Sequence, residues 1–285
     1  MSRLPSRRAF SRSILGALVG AVAASCPLPA AETIPDFSGD GTVAWVLDDT
    51  IDDFLPPASG PGPITFDPAH PYIPNFRPQQ PTYRVADLGN PILQPWAREQ
   101  MKKTNDAVLA GKVPFRARER CWPIGVPGFV INSLIAPFRF YQMAKEIVII
   151  DEGGPEVRHV YLDVPHSAAP KPSWYGESVG HYQGGDTLVI DTIGVTERTF
   201  VDNYRTPHTA KLHVVERYRI VEGGNKVEVA INVDDPGAFT TPWAATQRLR
   251  RVKRELLPES VCNETNQDYF GEQAVPYPTA DKPDF

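Results

Sequence analysis

Between residues 138 and 252 apolar and polar side chains alternate in short runs broken by turn-forming residues. A period of two is the signature of a half-buried strand, and it predicts strands at 138–143, 146–151, 157–164, 174–182, 187–193, 211–221, 226–234 and 243–252. Gln183-Gly184-Gly185-Asp186 and Glu222-Gly223-Gly224-Asn225 read as tight turns, because glycine supplies the positive φ they demand. Consecutive short strands with no intervening helix predict an antiparallel meander. About eight such strands can close into a lipocalin-like barrel. A strongly curved, half-open sheet packed on a helix is the alternative. That helix is expected over 96–110, where Trp96, Met101, Val108 and Leu109 sit among charges and Gly111 follows. Residues 32–95 are rich in Pro and Gly, as in Pro56-Pro57-Ala58-Ser59-Gly60-Pro61-Gly62-Pro63, and are expected to form an extended arm that wraps the core or stays mobile.

Polar residues caught on apolar faces are the first candidates for chemistry. On 211–221 Leu212, Val214, Tyr218 and Ile220 share a face, and Glu216 lies among them. A carboxylate pointing inward needs a partner. Arg158 shares its face with Val160, Leu162 and Val164, so the pair Arg158–Glu216 is expected, either as an internal ion pair that fixes register or as part of a ligand cavity. Periodicity does not choose a side for Asp191. Asp235 reads as a rim or turn residue ahead of Pro236.

Five histidines fall at 159, 166, 181, 208 and 213, yet none is spaced as a metal-ligand pair, and no metal is expected. His213 falls on the polar face. His208, in the loop Arg205-Thr206-Pro207-His208-Thr209 leading into the Glu216 strand, is the stronger candidate. Gly176, Ser178 and Gly180 have the spacing of a nucleophile elbow, but the chain continues as a strand rather than turning into a helix. Their small side chains instead leave one face of that strand open to a ligand or a crossing element.

The N-terminus places the protein. Ser6-Arg7-Arg8-Ala9-Phe10, a short uncharged run from Ile14 to Ala24, and a small-residue end at Ala30-Ala31 read as a twin-arginine export signal spanning 1–31, with an ordinary secretory signal or lipidation at Cys26 as alternatives. The run is too short to span a bilayer, and no later stretch qualifies. Its removal takes away four arginines and no acid, so the net charge moves from −5 to −9, which argues against nucleic acid or anionic lipid as partner. The domain reading is therefore a signal at 1–31, an arm at 32–95, and a barrel domain with preceding helix and C-terminal tail at 96–285. Two cysteines remain, Cys121 and Cys262, and in an oxidising compartment they are expected to form one disulfide; two separate thiols are the alternative.

The strings Gly176-Glu177-Ser178-Val179-Gly180-His181, Gly185-Asp186-Thr187-Leu188-Val189-Ile190-Asp191-Thr192, Pro207-His208, Leu212 to Tyr218, Asp235-Pro236, Pro242-Trp243 and Cys262-Asn263-Glu264 resemble an uncharacterised family of exported proteobacterial proteins. The similarity covers about residues 90 to 285. It implies that Arg158, His166, Ser178, Asp191, Asp202, His208 and Glu216 occupy the family's polar motif positions. It carries no activity. The chain departs from the family pattern at Phe239, where Tyr is usual, and at Asn263-Glu264, where the acid and amide are often reversed.

Two functions follow as expectations. One is an enzyme without a cofactor, a lyase, dehydratase, isomerase or hydrolase acting by proton transfer on a small, partly apolar molecule. Glu216 is its general base, His208 the acid, and Arg158 the group that stabilises developing negative charge. The other is a periplasmic carrier in which the same groups only orient a ligand. In both, Tyr175, Ser178, His181, His166, Asp191 and Asp202 are candidate ligand contacts.

Overall fold

Strict alternation becomes strand. In β8 (Lys226–Asp234) Val227, Val229, Ile231 and Val233 are completely buried, while the residues between them are partly or fully exposed. Each such side chain contributes about 1.5–3 kcal/mol by leaving water. β9 (Trp243–Lys253) repeats the pattern with Trp243, Ala245, Gln247 and Leu249. The remaining strands are β1 (Val43–Leu47), β2 (Phe138–Gln142), β3 (Glu146–Asp151), β4 (Val157–Leu162), β5 (Glu177–Gln183), β6 (Thr187–Ile193) and β7 (His213–Val221). The computed structural model describes residues 34–48, 53–72, 84–112, 114, 117, 121–132, 137–154 and 156–260. The export signal, Cys262 and the C-terminal motif lie outside the described residues.

The nine strands form one closed barrel in chain order, with β9 returning to β1 through Val43 opposite Lys253 and Leu47 opposite Leu249. The protein is therefore mainly β, with a single α-helix, α1 (Pro95–Leu109), among the described residues. That helix has proline at its first turn, where the missing N–H costs nothing, and Gly111 follows its end at φ +76. No described helix is long and apolar enough to cross a membrane. The two glycine turns are built as expected: Gly184, Gly185, Gly223 and Gly224 all have positive φ.

Two features depart from the expected meander. The first is a ninth strand, β1, drawn from the proline-rich arm, whose sequence Val-Ala-Trp-Val-Leu is buried at every position. Both of its faces are covered, so it shows no alternation. Other residues of the described arm also reach the core: Phe37, Phe54, Ile64, Val85, Ile92 and Leu93 are buried, as is Met101 of α1. Asn105 of α1 clamps both the N–H and the C=O of Ala86 at 2.9 Å. The second departure is that β4 and β5 run parallel, with Val160 opposite Ser178. Parallel neighbours cannot be joined by a tight hairpin. Residues 163–176 make the crossover, so β4 ends at Leu162 and Tyr175 sits in the turn before β5.

Candidate functional site

The barrel interior is mostly apolar, and strands β4 to β7 carry one layer of polar side chains in it. Arg158 on β4, Ser178 on β5, Thr192 on β6, and Glu216 and Tyr218 on β7 all point inward, and register brings them together: Ser178 lies opposite Thr192, and Ile190 opposite Glu216. Arg158 Nη2 donates to Glu216 Oε2 at 2.5 Å and to Thr192 Oγ1 at 2.9 Å, and its Nε donates to Ser178 Oγ at 3.2 Å. The Tyr218 hydroxyl donates to Glu216 Oε1 at 2.9 Å, and the Ser178 and Thr192 hydroxyls share a bond of 2.8 Å. Both members of the ion pair have zero exposure.

Burial opposes charge on Arg158, but Glu216 and Tyr218 outweigh it and its pKa is raised. Burial and the adjacent Glu216 push the Tyr218 hydroxyl well above its usual range, so it stays a neutral donor. One group is left over. Arg158 Nη1 is buried and has no hydrogen-bond partner. The Tyr218 hydroxyl gives its hydrogen to Glu216, and its oxygen keeps lone pairs that face the guanidinium and help hold the Arg158 charge.

At Gly180 the small face of β5 is closed by its own strand neighbours, β4 and β6. A side chain at Gly180 would meet Val160 at 2.9 Å and the Val189 carbonyl at 3.0 Å. Around the polar layer Phe140, Ile149, Val160, Ile190, Val214 and Ile231 are all closed to solvent.

His208 is not brought to Glu216. It is buried in the long connection between β6 and β7, with Nδ1 3.0 Å from the Thr209 carbonyl and Nε2 2.8 Å from Thr199 Oγ1. A carbonyl only accepts, so Nδ1 carries the hydrogen and Nε2 accepts from Thr199. Burial lowers its pKa, against the opposing effects of the Thr209 carbonyl, Asp235 and Glu197. Asp235 organises the turn after β8, accepting from the N–H and hydroxyl of Thr209 and from the N–H of Gly237.

Asp191, whose side sequence left open, faces outward. Its Oδ1 receives His166 Nε2 at 3.0 Å and His213 Nε2 at 2.8 Å, and His166 Nδ1 reaches Glu177 Oε1 at 3.0 Å. His166 thereby ties the crossover to the outer wall. His213, set aside on its polar face, belongs to this cluster; two outward residues on adjacent strands were the signal. Thr192 and Tyr218 were missed as site residues although both lie in phase with inward apolar neighbours. His181 is exposed on the outer face of β5.

Two other candidates sit apart from the central layer. The Tyr175 hydroxyl donates to Glu156 Oε2 at 2.6 Å, and burial, then Glu156 and Asp151, raise its pKa strongly while Arg158 opposes. Asp202 is buried in the β6–β7 connection and accepts from Thr206 Oγ1 at 2.7 Å and from Tyr204 N at 2.8 Å. Burial lifts its pKa from 3.8 to about 6, partly offset by those bonds.

Among the described residues no group of three or more His, Cys, Asp or Glu is arranged to hold a metal ion. A surface cleft of about 450 Å³, lined by Pro61, Asn90, Ile92 and Thr240 among others, contains none of the candidate residues. No family model matches the chain, and no curated protein does either.

Proposed function

We propose that the chain is an exported barrel that binds a small, mostly apolar molecule in its interior, with Arg158 as the anchor. The observation that carries this reading is Arg158 Nη1, a buried donor that completes no well-formed hydrogen bond in the barrel interior. Leaving such a group unmet costs about 1–3 kcal/mol, and folded proteins rarely tolerate it without a partner. A carrier fits better than the acid–base enzyme. Both Glu216 oxygens already receive hydrogen bonds, and both His208 nitrogens are committed elsewhere.

The test is the Arg158→Lys protein, which keeps a cation beside Glu216 and removes the second guanidinium nitrogen. Titrated with 4-phenylbutan-2-one and followed by calorimetry, wild type should bind about 10- to 100-fold more tightly, the worth of one charge-assisted hydrogen bond. Equal affinity in the two proteins would remove Arg158 as the anchor.

Export rests on the Arg7-Arg8 signal. Replacing both with lysine should leave the chain in the cytoplasm on cell fractionation. Outside the cytoplasm a Cys121–Cys262 bond is part of the same reading, and peptide mapping without reductant should recover the two linked.

A further inference from the structure

We infer that the surface cleft of about 450 Å³ is a binding site in its own right, and that it takes a neutral, hydroxyl-rich ring of the hexose type. It is independent of the barrel interior and stands or falls without the interior reading.

The cleft forms where three stretches of chain meet: the Gly60-Pro61-Gly62 bend of the arm, the segment from Asp87 to Ile92 ahead of α1, and Thr240-Thr241 ahead of β9. Its walls are pinned to one another and to the barrel. Asn90 Nδ2 donates to the Pro63 carbonyl at 3.3 Å, Thr240 N to the Ile92 carbonyl at 2.7 Å, and Ala244 N to the Pro61 carbonyl at 3.0 Å. Within the middle segment Asn90 Oδ1 accepts from Ile92 N at 3.1 Å, and Asp87 Oδ1 from Gly89 N at 2.8 Å. Pro61 and Pro91 add fixed φ angles. The shape is therefore set before a ligand arrives, which lowers the entropy cost of holding one.

Once those bonds are made, three polar groups of the lining are unspent among the described residues: Asp87 Oδ2, the second amide hydrogen of Asn90, and the Thr241 hydroxyl. They are an acceptor, a donor and a group that is either. Neighbouring hydroxyls on one sugar ring match that mixture, because each both donates and accepts. Other classes match it worse. Among the described residues the lining holds no lysine, arginine or histidine, so an anion would meet Asp87 with nothing to balance it. A simple cation would satisfy Asp87 and leave the other two groups to water. The described lining has no aromatic ring on which a flat base could stack, whereas Pro61, Pro91 and Ile92 offer apolar ground for the C–H face of a pyranose.

The experiment is titration of the whole protein at neutral pH, followed by amide NMR, with glucose, galactose and mannose, and with glucuronate and butylammonium as charged controls. At least one neutral hexose should bind with Kd about 1 mM, at least about tenfold more tightly than either control. Asp87→Asn keeps the acceptor for Gly89 N and turns Oδ2 into a donor; it should weaken that sugar about tenfold, the worth of one charge-assisted hydrogen bond. Thr241→Val removes a hydroxyl at nearly constant shape and should weaken it about threefold. If Asp87→Asn is unfolded by circular dichroism, Thr241→Val decides alone. Undiminished affinity in the folded variants would overturn the site. Tightest binding of glucuronate or butylammonium would overturn the ligand class, and no binding of any hexose at about 50 mM would overturn both.

Discussion

At the residue scale the Arg158–Glu216 pair behaves as one unit. Removing the cation alone by Arg158→Met leaves a buried carboxylate, and should cost about 3–5 kcal/mol in urea unfolding. Adding Glu216→Gln should restore much of that, because both charges are then gone and the amide oxygen still accepts from Tyr218. Simple additivity of the two losses would mean that the charges are not coupled. Asp202 makes a prediction in pH. Its native carboxyl holds a proton more tightly than the unfolded chain does, with pKa about 6 against 3.8, so between those values the native state carries more protons and stability falls as pH rises. The contribution is fully present below the lower value and lost above the higher, roughly 3 kcal/mol at 1.36 kcal/mol per unit. Asp202→Asn, whose amide oxygen can keep the Tyr204 and Thr206 N–H bonds, should lack that slope between pH 4 and 7 when denaturant midpoints are compared. The sequence made Glu216 legible because an acid interrupted an apolar face. His208 misled because nearness along the chain to the Glu216 strand says nothing about where a loop side chain turns, and here it turns to Thr199.

At the scale of elements, legibility followed alternation. β8 and β9 were readable to within a residue because each buries one face only, whereas β1 is buried on both and sits in a segment whose prolines argued against regular structure. The parallel pairing of β4 and β5 was not readable at all, since strand direction leaves no mark on local periodicity and depends on what residues 163–176 do between them. Gly176 is the hinge of that crossover. It has φ +65, and a side chain there would lie 2.4 Å from the Ile193 carbonyl. Gly176→Ala should therefore combine backbone strain with a clash and cost about 2 kcal/mol or more, whereas Gly223→Ala, at φ +64 with nothing within 4 Å, should cost only about 1–2 kcal/mol. Thermal unfolding of the two proteins side by side measures the difference, and equal losses would show that the crossover relaxes freely.

For the whole molecule, what matters is closure. β1 joins β2 to β9 and leaves neither with an edge. A chain shortened to start after Leu47 would open the barrel and leave β9 with an unpaired edge, and it should self-associate at micromolar concentration by light scattering where the full protein does not. A well-behaved truncated monomer would show that the arm is dispensable. The seam has a further consequence, which concerns force. Val43 opens β1, Lys253 ends β9, and the two lie opposite each other at one end of the antiparallel pair. Tension applied through the chain on either side of the barrel therefore reaches the seam at that end and parts its hydrogen bonds one after another, like a zip, instead of shearing them all at once. A machine that grips and pulls this protein would meet its weakest mechanical direction first, and the barrel would come undone along the line where it was closed.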